Sequence, residues 1–298
     1  MATKRKLAPA ATSGSRIGQA EKRILVVEDD RPFRHALCKL LRSAGFLVTA
    51  AKDGLAALEE LGRKSFDLVL LDIMLPRVNG LEVLAQVSSR PFRPKVVIMT
   101  ADDTPATVLR AVRNQAYQYV AKPIAPKAVV DLVGRALAAP SATLPIEVIS
   151  ARPEWVELLV PCQMEAAERI QSFLEQLDAD LAADVRNSVG SAFRELLLNA
   201  VEWGGKLDPT RKVRIAYLRA RRMLLYRIAD PGPGFRPENL EHSALSNQPG
   251  KPLEHIKARE KKGLRPGGFG LLMTRAMVDE LIYNEAHNEV VFIKYLDE

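Results

Sequence analysis

The sequence has little of several features that would mark particular protein classes. It holds only two cysteines in 298 residues, Cys38 and Cys162, and both lie in or beside apolar segments. Two cysteines so far apart make neither a disulfide framework nor a metal site, so we expect buried thiols in a reducing compartment. No apolar run approaches the ~18 residues of a membrane-spanning helix, and residues 1–23 lack the apolar centre of a secretory signal. These absences predict a cytoplasmic protein without a membrane partner.

A broad excess of positive charge is also missing outside the N-terminal segment. The formal net charge is +7, and residues 1–20 hold four basic residues and no acid. The rest of the chain therefore carries only +3, which weakens any argument for nucleic-acid binding from overall charge. Because residues 1–21 are rich in small, polar and basic residues, we expect them to form a disordered tail.

Residues 22–138 alternate between short apolar runs and segments of helical periodicity. The predicted strands cover residues 24–27, 47–50, 68–71, 96–99 and 117–120, and a helical segment follows each one; residues 24–27 are wholly apolar. Wholly apolar runs are typical of strands that are buried on both faces of a parallel sheet. Five such alternations predict a doubly wound α/β domain with a five-stranded parallel sheet.

Polar residues follow the predicted strands at their carboxyl ends, where ligands bind in such sheets. Glu28 and Asp29 follow the first strand, Asp72 the third, Thr100 the fourth and Lys122 the fifth. Several carboxylates at one point repel each other unless a divalent cation lies among them, and Mg²⁺ prefers carboxylate oxygens. A nearby hydroxyl and ammonium would suit a phosphoryl group on the central aspartate.

These residues and their flanking motifs resemble the receiver domain of two-component response regulators. The matching stretches are residues 24–30, 70–76, 79–80, 99–101 and 119–123. The resemblance implies that Asp72 is the phosphoacceptor, that Glu28 and Asp29 are the acid pair with Asp29 a direct metal ligand, and that the Met74 carbonyl adds a further ligand.

The same resemblance assigns roles around the phosphoryl group. It implies that Thr100 contacts this group, that Lys122 pairs with it, that Tyr119 is the switch aromatic, and that the Lys122–Pro123 bond is cis. One departure is Gln115, which stands where a glycine is common.

A second domain is predicted after a linker of small residues and prolines at 139–145. Residues 146–298 contain strand patterns at 146–149, 155–160, 213–218, 224–229 and 289–295, and helical patterns at 165–177, 184–203 and 271–281. This segregated order predicts an α+β sandwich. The polar segment 235–265 has little periodicity, so we expect a mobile lid there.

Three motifs in this second domain suggest a nucleotide pocket. Glu195 and Asn199 share one helix face, the Asp230-Pro-Gly-Pro-Gly234 motif follows a strand, and the Gly267-Gly-Phe-Gly270 motif opens a helix. A carboxylate on a turn can accept from the amine of adenine, and bare amides at a helix start attract phosphate. Taken singly, Glu195 could be a solvated helix acid and Asp230 a plain turn residue.

This half resembles the ATPase domain shared by histidine kinases, gyrase, a heat-shock chaperone and mismatch-repair proteins, and most of all the anti-sigma-factor serine kinases. The resemblance covers about residues 146–298. It implies ATP and Mg²⁺ as cofactors, Asn199 as the metal ligand and Glu195 as the general base. The remaining ATP-binding candidates are Asp230, Gly232, Gly234, Gly268 and Gly270. One departure is Trp203, which stands where that family usually has histidine.

The combination predicts a response regulator whose phosphorylation by a sensor histidine kinase controls an ATP-binding output domain. The first hypothesis is a serine/threonine kinase acting on an anti-sigma antagonist. The second is an ATP-dependent module that sequesters a sigma factor or similar regulator without phosphotransfer, which Trp203 mildly favours. Direct DNA binding ranks last because it rests only on the basic tail and the basic segment 211–222. Homodimerisation is left open.

Overall fold

The computed structural model describes residues 22–90, 93–102, 104–139, 144–152, 154–235, 256–257, 261 and 269–297. The predicted tail, most of the predicted lid, and Gly267 and Gly268 lie outside these ranges. None of the helices within them is both long and apolar enough to cross a bilayer.

The first domain is a parallel sheet between two layers of helices. Its strands are β1 (Arg23–Val27), β2 (Leu47–Ala51), β3 (Leu68–Leu71), β4 (Lys95–Thr100) and β5 (Gln118–Ala121). Its helices are α1 (Arg31–Ser43), α2 (Gly54–Arg63), α3 (Gly80–Ser88), α4 (Pro105–Arg113) and α5 (Pro126–Ala138). The strand order is β2-β1-β3-β4-β5, and all pairings are parallel. The predicted doubly wound α/β fold is confirmed.

The central strands β1, β3 and β4 are buried on both faces, which explains their apolar runs. Val26 packs with Leu37 and Leu41 of α1, whereas the next residue, Val27, enters the cluster on the opposite face. Successive side chains of a strand point to opposite faces, so a strand covered on both sides must be apolar throughout. Asp30, Asp53 and Asn79 cap α1, α2 and α3 with their side-chain oxygens.

The second domain is an antiparallel sheet with helices. Its strands are β6 (Glu147–Arg152), β7 (Trp155–Pro161), β8 (Lys212–Ala220), β9 (Met223–Ala229), β10 (Glu280–Tyr283) and β11 (Glu289–Tyr295). Its described helices are α6 (Met164–Leu177), α7 (Ala183–Asn199) and α8 (Gly270–Met277). The strand order is β10-β11-β9-β8-β7-β6. The predicted α+β class is confirmed.

Two segments of this domain differ from the sequence prediction. Residues 271–281 do not form one helix: α8 ends at Met277, and β10 pairs antiparallel with β11, with Leu281 opposite Phe292. A short apolar run fits a strand as well as a helix, and sheet pairing decides between them. The predicted helix 184–203 becomes α-helix only to Asn199 and continues as a π-helical turn, Ala200–Gly204, in which the Gly205 amide donates to the Ala200 carbonyl at 2.8 Å.

The two domains contact each other through the α4–β5 side of the receiver-like sheet. Arg169 of α6 is 6% exposed and donates to the backbone carbonyls of Tyr117 at 3.1 Å and Ala116 at 3.2 Å. Gln115 lies beside them and donates through Nε2 to the Ile146 carbonyl at 2.8 Å. The turn between α4 and β5 is therefore held both by helix α6 and by the residue that precedes β6.

Candidate phosphoacceptor and nucleotide sites

Three carboxylates meet at the carboxyl edge of the parallel sheet. Glu28 and Asp29 follow β1, and Asp72 follows β3, which is the direct neighbour of β1. Ligand oxygens of the three side chains all lie within 4.8 Å of one another. Glu28 and Asp72 are only 1% and 4% exposed, whereas Asp29 faces solvent. The site therefore has two buried acids and one acid at its mouth.

Lys122 is the cation that links the two buried acids. It follows β5, and its Nζ lies 2.7 Å from Glu28 Oε2 and 2.6 Å from Asp72 Oδ2. Burial by itself would lower the pKa of Lys122, but the hydrogen bonds to Asp72 and Glu28 outweigh it and raise that pKa. Burial raises the pKa of Glu28 against the effect of Lys122. One ammonium among three carboxylates leaves an all-oxygen donor set with excess negative charge, which fits Mg²⁺.

Thr100 and Tyr119 lie on either side of the loop that follows β4. Thr100 is fully buried at the strand end, and its Oγ1 accepts from the Asp102 amide at 3.2 Å. Tyr119 is 1% exposed and its hydroxyl donates to the Asp102 carbonyl. Thr100 and Tyr119 thus both bind the backbone of Asp102, one from β4 and one from β5. A displacement of Thr100 would therefore also move the hydrogen-bond partner of Tyr119.

The other receiver-like candidates occupy the loop after β3 and the end of β5. The Met74 amide donates to Asp72 Oδ1 at 3.2 Å, and its side chain is 60% exposed. The Lys122–Pro123 bond is cis, as the resemblance implied. A Cβ at Gly80 would overlap the Asp72 carbonyl, so the glycine is needed for close approach.

Sequence reasoning missed a residue that shapes the acid pair. Arg34 of α1 donates through Nη1 to the carbonyls of Glu28 at 2.6 Å and Asp29 at 3.0 Å. These bonds fix the turn that carries both acids. Nothing in hydrophobic periodicity signals such a contact, because it joins a surface arginine to backbone atoms.

The second candidate site lies between α7, α8 and the turn after β9. Asn199 Nδ2 lies 3.5 Å from Glu195 Oε1, so the two side chains meet on one helix face, as their spacing predicted. A Cβ at Gly270, the first residue of α8, would overlap the Glu195 carboxylate. Glu195 and the start of α8 are therefore in contact, which brings two of the three predicted motifs together.

Asp230 is placed by close contacts with glycines. Its Oδ1 accepts from the Gly232 amide at 2.7 Å, and a Cβ at Gly204 of the π-helical turn would overlap its carboxylate. Burial raises the pKa of Asp230, while the Gly232 amide and Arg211 act in the opposite direction. Gly234 has φ +83° and faces the Ala286 carbonyl. The turn thus requires glycine for both conformation and space.

The π-helical turn connects the helix motif with the aspartate motif. Gly204 contacts Asp230, and Trp203, which is 45% exposed, immediately precedes it. Sequence reasoning placed Trp203 on the helix and did not single out Gly204. The Gly204-Gly205 pair was the available signal, since adjacent glycines often mark close backbone approach.

Comparison with known proteins fits both halves of the chain. Residues 24–134 match the response regulator receiver domain family, and residues 160–294 match the histidine kinase-like ATPase domain family. The DNA-binding response regulator MtrA of Mycolicibacterium smegmatis is 34% identical over 184 residues, covering 61% of this chain and 78% of that protein. The chain belongs to the response regulator family. The predicted fusion of a receiver with an ATPase-like domain is confirmed.

Other matches of this response regulator cover a smaller part of the chain. The response regulator MprA of Mycobacterium sp. strain KMS is 38% identical over 103 residues, covering 35% of this chain and 45% of that protein. Among solved structures, a CheY-like receiver domain protein from Methanospirillum hungatei JF-1 is 27% identical and covers 40% of this chain and 95% of that chain, with a TM-score of 0.39. CheY4 of Vibrio cholerae is 23% identical and covers 39% and 98%, with a TM-score of 0.37.

Proposed function

We propose that this response regulator is a phosphorylation-gated ATP-binding protein of the cytoplasm. The observation that carries the proposal is the cluster of Glu28, Asp29 and Asp72 bridged by Lys122. Asp72 attacks the phosphoryl group on the histidine of a sensor kinase, so the N–P bond breaks and an acyl phosphate forms. Lys122 pairs with the new phosphoryl oxygens, and Thr100 contacts them through its hydroxyl.

Mg²⁺ fits the acid cluster and would be held by Glu28, Asp29, Asp72 and the Met74 carbonyl. It supplies charge neutralisation for the phosphoryl oxygens. The chain itself holds the acids together in the absence of a metal. Arg34 fixes the Glu28–Asp29 turn. Lys122 offsets part of the repulsion between Glu28 and Asp72.

The output domain would bind ATP between α7, α8 and the turn at Asp230. Asp230 would accept from the adenine amine, Gly232 and Gly234 would leave room for the base and sugar, and Asn199 would hold the Mg²⁺ that accompanies the phosphates. Gly270 would supply an amide at the start of α8, whereas Gly268, the other candidate, lies outside the described residues. Glu195 would take the proton of a serine or threonine hydroxyl of an anti-sigma antagonist. The hydroxyl oxygen would bond to the γ-phosphorus of ATP as the bond to the bridging oxygen breaks and ADP leaves, which is the reaction of a protein kinase.

The domain contact gives a route by which phosphorylation could act on the output domain. Asp72 and Thr100 lie at one end of adjacent strands, and Tyr119 lies on β5 two residues beyond Tyr117, whose carbonyl Arg169 binds. A buried guanidinium bound to carbonyls is costly to detach from them, because those hydrogen bonds are hard to replace. A shift of β5 would therefore be transmitted to α6.

A second candidate function is binding without phosphotransfer. Trp203 is 45% exposed next to the residue that contacts Asp230, where it could contact a bound regulator such as a sigma factor. In this reading ATP sets the affinity for the regulator and Glu195 has no chemical role.

DNA binding, which is part of the name of the relative MtrA, has less support. Lys212, Arg214 and Arg219 of the basic segment pair with Glu147, Glu157 and Asp180. Arg211 donates to the Pro231 carbonyl. These contacts fit a solvated, charge-paired sheet better than a surface for phosphates.

The experiment that separates the two main readings compares wild type with Glu195→Gln. Both proteins are purified with their bound partners, given Mg-ATP, and analysed by mass spectrometry for phosphoserine and phosphothreonine on those partners. Kinase function predicts modified partner in wild type only, with equal ATP binding in the two proteins. Full modification of the partner by the variant would show that Glu195 is not the general base. No modification by wild type would reject the kinase function and support binding without phosphotransfer.

A further inference from the structure

The turn between β10 and β11 is hydrogen-bonded to the Asp230 loop of the candidate nucleotide site, a contact that no sequence motif indicates. Three hydrogen bonds join this turn to the loop that begins at Asp230. The Asp230 amide donates to the Asn288 carbonyl at 2.8 Å, and Asn288 Nδ2 donates to the Gly232 carbonyl at 2.9 Å. The Phe235 amide donates to the Ala286 carbonyl at 3.1 Å.

Asn288 holds the loop at two points, and Asp230 closes the connection between them. The Asn288 carbonyl binds the first residue of the loop, its side chain binds Gly232, and the Gly232 amide donates back to Asp230 Oδ1 at 2.7 Å. Each of the three residues bonds to the other two. The direction of the Asp230 carboxylate is therefore tied to the orientation of the Asn288 amide.

A neighbouring asparagine fixes that orientation. Asn284 Nδ2 donates to Asn288 Oδ1 at 2.8 Å, which leaves the Nδ2 of Asn288 to face Gly232. The Oδ1 of Asn284 accepts from the amides of Asn288 and Glu289, both at 3.1 Å. The donors and acceptors of both side-chain amides are thus used in one consistent arrangement.

We propose that Asn288 is a positioning residue for the adenine-recognising carboxylate. It sets the direction of Asp230, and Asn284 sets the direction of Asn288. The inference rests on the proposed ATP site and deepens it, because it assigns base recognition to a relay of two asparagines outside the recognised motifs. Phosphate binding does not depend on this relay.

The relay makes a prediction that separates positioning from simple stability. In N288A the donor to Gly232 is lost. In N284D the carboxylate still accepts from the two backbone amides, but it repels Asn288 Oδ1. The Asn288 amide then turns over, and its oxygen meets the Gly232 carbonyl. Both changes should misdirect Asp230. The matched control is E285Q, because Glu285 is exposed in the same turn.

The test uses the full-length protein and calorimetric titration with Mg-ATP and, separately, with Mg-tripolyphosphate, which lacks the base. We expect N288A and N284D to weaken ATP binding by about tenfold, the loss of roughly one hydrogen bond to a charged or polar group. We expect tripolyphosphate affinity to stay within about twofold in both variants, and E285Q to match wild type for both ligands.

Two results would overturn the inference. One is ATP affinity unchanged in N288A and N284D. The other is an equal loss for ATP and tripolyphosphate, which would mean that Asn288 only supports the fold. Amide hydrogen exchange of residues 228–235 without nucleotide tests the relay separately from the proposed function. If wild type binds no ATP, faster exchange in both variants still supports the relay of Asn284 and Asn288. Unchanged exchange would contradict this relay.

Discussion

The two candidate sites of this response regulator are assembled by different physical means. In the receiver domain, opposite charges hold the site together: Lys122 bridges the buried Glu28 and Asp72. In the output domain, the site depends on a position without a side chain: the Asp230 carboxylate has room only because residue 204 is glycine. The first site depends on charge balance, and the second depends on shape.

This difference predicts different responses to substitution. An uncharged isostere should disable the charge-built site while leaving its shape intact. A single methyl group should disable the shape-built site while leaving every charge intact. The following experiments probe this contrast, from the largest expected effect to the smallest.

Removing the charge of Asp72 should have the largest effect. Asp72→Asn should abolish acyl-phosphate formation from acetyl phosphate in the presence of Mg²⁺, because the amide is not a nucleophile for phosphoryl transfer. Mass spectrometry of the peptide that contains residue 72 gives the readout. The control is Asp30→Asn, since Asp30 caps α1 and asparagine caps equally well. Loss of phosphorylation in D30N, or its persistence in D72N, would contradict the assignment.

Adding one methyl group at Gly204 should be the next most damaging change. Gly204→Ala places a Cβ on the Asp230 carboxylate, so we expect ATP affinity to fall at least about tenfold and stability to fall by ~1–3 kcal/mol. The matched control is Gly134→Ala in α5, where no atom outside the adjacent helix backbone lies within 4 Å of the added methyl. That control should gain ~0.5–1 kcal/mol from helix propensity. Calorimetric ATP titration and thermal unfolding provide both measurements, and equal behaviour of the two variants would refute the steric account.

Weakening the domain contact should affect communication more than either site. Arg169→Ala removes the hydrogen bonds to the Ala116 and Tyr117 carbonyls. Beryllofluoride should change the ATP affinity of wild type by about fivefold, within the usual range of coupling energies, and most of this change should be absent in the variant. Arg186→Ala is the matched control, because Arg186 also donates to a backbone carbonyl, that of Ala179, but within the output domain. A normal beryllofluoride response in R169A would rule out this contact as the route.

The smallest effect concerns a buried charge in the output core. Asp178 is 2% exposed and accepts from Tyr217 at 2.8 Å and Tyr226 at 2.7 Å. Burial raises its pKa despite these bonds, with Arg219 lowering and Asp180 raising it. A raised folded-state pKa means that the stabilising contribution is present in acid and is lost as pH rises through that pKa.

The pH test of Asp178 compares thermal midpoints of wild type and Asp178→Asn between pH 4.5 and 7.5. Wild type should lose stability relative to the variant as pH rises, by at most about 4 °C. A difference that is constant with pH, or that grows in favour of wild type, would show that the carboxylate is not penalised by burial.

Much of the receiver site follows from the sequence because parallel strands end at a common edge. Because β1 and β3 are adjacent and parallel, the residues that follow them, Glu28, Asp29 and Asp72, must lie close together. The positive φ of Gln115, +58°, also explains why glycine is common at that position. Its side-chain bond to Ile146 could not be foreseen, because it depends on how the domains pack.

The parts that escaped prediction in the output domain depend on small geometric differences. A π-helical turn shares its residues with a continuing helical pattern, so nothing in periodicity separated Gly204 from the helix before it. The predicted helix 271–281 includes the first two residues of strand β10, because so short an apolar run shows no period. Asn288 is a polar residue in a turn, and only the path of the chain brings it to Gly232.

The most direct test of the central claim is calorimetric binding of Mg-ATP to the full-length protein, with and without beryllofluoride as a mimic of phosphorylated Asp72. The account predicts that ATP binds and that beryllofluoride changes its affinity by about fivefold or more. Equal affinity in the two states would contradict gating of the ATP site, and absence of ATP binding would contradict the output function itself.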